Sequence, residues 1–130
     1  MSFVALTIVM GWRPAHGDFC RTLSHCCPTA MNEHIQSQQD ALNACVAACE
    51  HCAAACLQEQ DVNMMARCIS LTRDCADVCA LTARFIARGS EYATQLAQVC
   101  TAICQACANE CGRHAHRHCQ ECAEACRRCA

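Results

Sequence analysis

From Asn32 to Ala130 the inward-favouring residues return at steps of three and four, the period of helices that bury one face, and nowhere alternate as strands do. Asn32, Asp61 and Ser90 are N-cap residue types, with Glu33 and Glu91 favouring the first turns, and Gly89 and Gly112 stand where helices end. These signals predict four helices, over about 32–59, 61–88, 90–111 and 116–130. The connections between them are a few residues long, so neighbours run antiparallel. The expected fold is all-α, an up-down-up-down four-helix bundle over 32–130 with an N-terminal extension over 1–31.

The residue that marks each inward face is cysteine. The first helix carries Cys45, Cys49, Cys52 and Cys56, and the third carries Cys100, Cys104, Cys107 and Cys111, both spaced four, three, four. The fourth has Cys119, Cys122, Cys126 and Cys129, spaced three, four, three, and the second has Cys68, Cys75 and Cys79, spaced seven and four. Each step returns to the same helix face, the seam that meets partner helices. Fifteen cysteines therefore line one shared interior, and only Cys20, Cys26 and Cys27 of the 18 in the chain lie outside it.

Composition narrows the chemistry. A count of 18 cysteines in 130 residues, with only 4 Gly and 2 Pro, does not describe a loop-rich disulfide scaffold, and buried cysteine used merely as packing would forfeit apolar burial that Leu and Ile supply. Net charge is −2, from ten arginines, no lysine and twelve acids, which leaves no basic footprint for nucleic acid. No apolar run reaches the length of a membrane span, so neither nucleic acid nor membrane is an expected partner.

In an up-down bundle the first and third connections share one end, called the top below. The cysteines gather toward it, while beneath them the same seams carry Ile35, Leu42, Thr82, Ile86, Ala93 and Leu96, expected to form a dry apolar plug. The third connection contains His114, His116 and His118, and the first contains Asn63, Met64 and Met65. Cys, His and Met together form the soft-to-borderline ligand set that selects Cu(I). Structural zinc sites close on four ligands, and iron–sulfur cysteines cluster on loops, whereas these thiols run as continuous stripes. One Cu⁺ per thiolate also leaves the interior neutral, while tetrathiolate zinc would bury surplus negative charge. The expectation is a container for many Cu(I) ions per chain, without catalysis, entered at the top past His114, His116, His118 and Met64 or Met65. Alternatives from other classes are a metallothionein-like zinc or cadmium buffer and a thiol redox protein, though the latter would want a C-x-x-C in a βαβ setting. His51 is expected on the solvated face, and His16, His25 and His34 carry no signal of their own.

Residues 1–31 differ from the rest. They hold both prolines and the apolar run 3–10, followed by Ala15-His16-Gly17, a weak small-residue cleavage pattern with no basic residue ahead of the run. Met31 opens the regular part, so this stretch reads as an appended short helix or as residues ahead of the true start, and a cytoplasmic location is expected over export.

The run from His114-Ala115-His116-Arg117-His118-Cys119 through Cys122 to Cys126, the segment Arg73-Asp74-Cys75-Ala76-Asp77-Val78-Cys79, and the run Cys104-Gln105-Ala106-Cys107 to Cys111-Gly112 resemble the bacterial copper storage proteins, specifically their cytosolic branch. The resemblance covers about residues 33–130. It implies a four-helix bundle that fills its core with Cu(I) and assembles as a homotetramer.

Overall fold

The computed structural model describes residues 29–130, so the apolar run 3–10, His16, His25 and Cys20, Cys26 and Cys27 lie outside the described residues. Four helices follow in order: α1 (Thr29–Cys56), α2 (Val62–Ala87), α3 (Ala93–Cys111) and α4 (Arg117–Cys129). They form a ring in which α1 and α3 each pack against both α2 and α4, giving the expected antiparallel bundle.

Local signals explain most boundaries. Asp61 caps α2, its Oδ1 accepting from the Met64 N–H at 3.3 Å. Gly89 ends the same helix with φ +62°, a conformation that side chains with a Cβ adopt at a cost. Two expectations are corrected. Asn32 does not cap α1, because helix begins at Thr29 and takes Asn32 into its first turns. Ser90 does not open α3 directly. Its carbonyl and hydroxyl instead accept from Ala93 N and Tyr92 N, closing a turn that delays the helix to Ala93. Gly112 ends α3 as expected, in an ordinary right-handed conformation, and its value is close approach: a Cβ there would stand 3.0 Å from Ala108 O and 3.3 Å from the Arg127 guanidinium.

The core is built almost wholly from small side chains. Fourteen cysteines are buried, with Ala53, Ala76, Ala108, Ala123 and Ala125 at the helix contacts, and Leu42 and Met65 are the only long apolar side chains among the buried ones described. Thr72 and Thr82 are also fully inside. Their hydroxyls bond back to Cys68 O at 2.9 Å and Val78 O at 2.7 Å, which satisfies the polar atom within the helix. Thr72 occupies the seam position that the seven-residue step in α2 leaves without a thiol.

The helices differ in length, about 42 Å for α1 against about 20 Å for α4 at 1.5 Å per residue. Among the described residues α4 runs beside the upper half of α1. Of the expected apolar plug, among the described residues Leu42 and Thr82 are buried, Ile86, Ala93 and Leu96 only partly, and Ile35 is 37% exposed. A cavity of about 300 Å³ lies at this end.

Candidate metal centre

All fifteen cysteines predicted to face inward do so, and all are free thiols. Their sulfurs form one connected column. At the top, Cys52, Cys56, Cys68 and Cys119 form a four-thiol group. Below it come Cys49, Cys107, Cys122 and Cys126, then Cys45, Cys49, Cys75 and Cys126, then Cys45, Cys75, Cys79 and Cys104, and at the bottom Cys79, Cys100, Cys104 and Cys129. Within each group the ligand atoms lie within 4.8 Å of one another. Consecutive groups in the lower column share members, so the thiols do not partition into separate four-ligand sites. Cys68 links the top group to Cys111 at 3.3 Å, and Cys111 approaches Cys122 at 3.9 Å.

Thiols also cross the bundle's diagonals, where the helix backbones do not meet. Cys75 on α2 stands 3.8 Å from Cys126 on α4, and Cys79 stands 3.8 Å from Cys129. Along one helix the four-residue step leaves sulfurs 3.9–4.0 Å apart, as at Cys45–Cys49, Cys52–Cys56 and Cys107–Cys111. With a metal–thiolate bond of about 2.3 Å, three thiolates around one ion need sulfur separations of about 4.0 Å, and two collinear ones need about 4.6 Å. The column therefore accepts trigonal ions almost without movement and linear ones after small side-chain adjustments.

The thiols of this column are shifted in both directions, Cys45, Cys75, Cys100, Cys111 and Cys122 downward through hydrogen bonds with neighbouring thiols and others upward. Cys119 is pushed up to about 12, chiefly by burial and then by the neighbouring Cys56, and Cys129 rises to about 12 through its contact with Cys100. Cys49 and Cys79 are raised further by hydrogen bonds with surrounding thiols and by burial. Metal binding at the raised thiols must displace protons.

The top is organised by carboxylates. The His118 side chain is only 13% exposed. Its Nδ1 faces Cys119 at 3.4 Å, Cys52 at 3.6 Å and Cys56 at 3.9 Å, and its Nε2 donates to Glu59 Oε1 at 2.9 Å. His116 stacks on His118 with ring centroids 5.4 Å apart, and its Nδ1 lies 3.2 Å from the same Glu59 oxygen. His114 turns instead to the buried Glu110, 3.4 Å away, which also meets Arg67 and Arg113, and His114 Nε2 is buried without a hydrogen bond. Met65 is buried, whereas Met64 and Asn63 stand in solvent, Met64 at 69% exposure. Glu59, Asp61, Met64, Met65, His114 and His116 line one open cavity of about 460 Å³.

Of the residues proposed from sequence for the mouth, the structure thus brings His118 against the thiols, sets His114, His116, Met64 and Met65 around the cavity, and leaves Asn63 outside it. His51 is solvated, as expected. Glu59 and Glu110 were not singled out from the sequence. Glu59 lies just beyond the last cysteine of α1, at the end the histidines occupy, and that position was the available signal.

The model of the copper storage protein family matches residues 31–130 of this chain. An uncharacterised cysteine-rich protein of Bacillus subtilis, YhjQ, is 40% identical over 100 residues, spanning 77% of this chain and 93% of its own length. The Cu(I)-bound copper storage protein BsCsp3 of Bacillus subtilis is 41% identical, with a TM-score of 0.71 over 73% of this chain and 90% of that one. A cytosolic copper storage protein from Streptomyces lividans, in a structure of copper loading with five coppers, is 39% identical, with a TM-score of 0.74 over 78% of this chain and 90% of that one.

Proposed function

The chain belongs to the copper storage protein family, and on that premise we propose that its function is to take up many Cu(I) ions into the thiol column of the bundle and hold them there. The observation that carries this reading is the sharing of sulfurs between successive four-thiol groups, which suits an ion that accepts low coordination numbers and bridging thiolates. The role is storage and not catalysis.

The ligands we assign are Cys45, Cys49, Cys52, Cys56, Cys68, Cys75, Cys79, Cys100, Cys104, Cys107, Cys111, Cys119, Cys122, Cys126 and Cys129. His114, His116 and His118 act at the mouth with Met64 and Met65, and Asn63 borders it. Cu(I) enters past these side chains and moves down the column by exchange between neighbouring thiolates, each ion forming a new bond to sulfur before its old one breaks. We assign residues 32–130 to storage and 1–31 to an extension.

The cytosolic description of the similar Streptomyces lividans protein supports a cytoplasmic location, and no described helix is long and apolar enough to cross a membrane. Assembly into a homotetramer is also proposed: Leu81 on α2 and Val99 on α3 remain exposed and offer apolar contact surface. Sedimentation of the metal-free and loaded forms tests the assembly.

The deciding experiment is anaerobic titration of the reduced protein with Cu(I) against a competing chelator. Saturation near one ion per core thiol is expected. A ratio near one ion per three or four thiols would indicate a zinc-type buffer instead.

A further inference from the structure

The group Cys52, Cys56, Cys68 and Cys119 forms an upper tier of the column, and the four helices differ in how they connect it to the thiols below. Sulfurs on one helix touch at four-residue steps, as at Cys52–Cys56 and Cys107–Cys111, both 3.9 Å. On α1 and α4 the tiers are separated by a three-residue step, and the sulfurs turn across the bundle instead: Cys52 meets Cys119 at 3.8 Å above, and Cys49 meets Cys122 at 3.6 Å below. On α2 the position between the tiers is Thr72, whose hydroxyl donates to Cys68 O and Ile69 O. Only α3 has a four-residue step at this level. Its Cys111 stands 3.3 Å from Cys68, the shortest sulfur–sulfur contact described, and 3.9 Å from both Cys107 and Cys122 below. Among the described sulfur contacts of 4.0 Å or less with hydrogen-bonding geometry, Cys68–Cys111 is the one that joins the tiers. Cys52 is raised first by Cys111 and then by Cys122, which makes Cys122 the rival crossing.

We propose that Cys111 is the relay through which Cu(I) passes from the upper tier to the rest of the column, and that Thr72 makes it so by withholding a sulfur from the route along α2. The proposal rests on the storage reading above. A hydroxyl oxygen is a hard ligand and does not compete with thiolate for Cu(I), so an ion at Cys68 has no next step on its own helix. In the transfer the ion held by Cys68 gains a bond to Cys111 Sγ, its bond to Cys68 Sγ breaks, and the thiol proton of Cys111 passes to Cys68. Charge and oxidation state are conserved, and no redox partner is needed. The antiparallel register that pairs Cys68 with Cys111, Cys75 with Cys104 and Cys79 with Cys100 sets position 72 opposite Cys107. A sulfur placed there would touch Cys68 along α2 and Cys107 across the bundle. It would bypass Cys111.

Loading kinetics of the full, reduced chain test the relay. Anaerobic mixing with excess Cu(I) held by acetonitrile is followed by copper–thiolate absorbance, and native mass spectrometry counts the ions bound at early times. In Cys111→Ser uptake should split into a fast phase of about four ions, one per upper-tier thiol, and a phase about tenfold slower, because the missing sulfur leaves a gap that no bond spans. Cys107→Ser also removes one storage ligand and should lose the same capacity without the slow phase. Adding Thr72→Cys to Cys111→Ser should abolish the slow phase, a rescue that a merely structural role of Cys111 would not allow. Wild-type kinetics in Cys111→Ser, or an equal slow phase in Cys107→Ser, would overturn the proposal. A slow phase in Cys122→Ser alone would also overturn it, by moving the crossing to Cys122, and persistence of the slow phase in the double variant would overturn the part given to Thr72. Cys111→Ala replaces the serine variant should the buried hydroxyl disturb folding, which circular dichroism reports. Failure of every form to take up Cu(I) would refute the storage reading, while full uptake with identical kinetics in every form would refute the relay alone.

Discussion

Glu59 holds His118 in a single orientation: its Oε1 accepts from the His118 Nε2–H at 2.9 Å, which turns the opposite ring nitrogen, Nδ1, toward Cys119 at 3.4 Å. A carboxylate only accepts, so the bond places the ring proton on Nε2 and leaves the Nδ1 lone pair of the neutral ring directed at the thiols. Glu59→Ala frees the ring, and uptake of the first Cu(I) ions should slow several-fold with final copper content unchanged. Glu59→Gln, which retains an acceptor oxygen, should restore part of the rate. Stopped-flow ultraviolet absorbance of the copper–thiolate bands follows both, and identical rates in all three proteins would remove Glu59 from the entry path.

Replacing His114, His116 and His118 together with alanine separates entry from capacity. Only His118 lies against sulfur, so the triple variant should load or release more slowly while binding nearly as much copper. Chelator competition at equilibrium checks this, and a large loss of capacity would make the histidines storage ligands.

Thr72 fills the thiol-free position on the α2 seam, and its hydroxyl bonds only to backbone carbonyls of its own helix. Thr72→Cys keeps the size of the side chain and presents a further sulfur. Copper capacity should rise by about one ion, and apo-protein stability should change by about 1 kcal/mol or less, the worth of one such hydrogen bond. Metal analysis of the saturated variant decides it; an unchanged capacity would place position 72 outside the column's bonding network.

The raised thiols give the metal-free protein a pH dependence of defined sign. Cys119, held up by burial and then Cys56, and Cys129, held up by Cys100, are pushed up to about 12 in the folded chain from an ordinary value of 9.0. The folded state binds these protons more tightly than the unfolded state, so their stabilisation is complete below pH 9 and is lost as pH rises toward 12. Anaerobic thermal melts should show the apo protein weakening across that window and the loaded protein, whose thiolates hold metal in place of protons, resisting it. A flat apo profile would contradict the assignment.

The seam spacing was sufficient to place all fifteen thiols inside, because a step of three or four fixes the face of a helix whatever its exact ends are. The ends themselves depend on local competition that spacing does not encode. Ser90 has the chemistry of an N-cap and spends it on a turn, and Asn32 is overtaken by a helix that starts three residues earlier. Glu59 escaped notice because an acid in a connection resembles any solvated acid until the other connection is folded beside it. At the lower end the pattern identified which residues face inward, and among the described residues Leu42 and Thr82 are buried there.

The thiols that meet across the diagonals of the ring have a consequence for the lifetime of the molecule. When empty, opposite helices are joined there only by weak sulfur contacts between small side chains; when filled, each bridging ion becomes a crosslink between segments distant in sequence, such as Cys75 and Cys126. Resistance to unfolding and to proteolysis should therefore rise with each ion taken up. Empty copies are therefore the ones a protease should cut first, and filled ones the last.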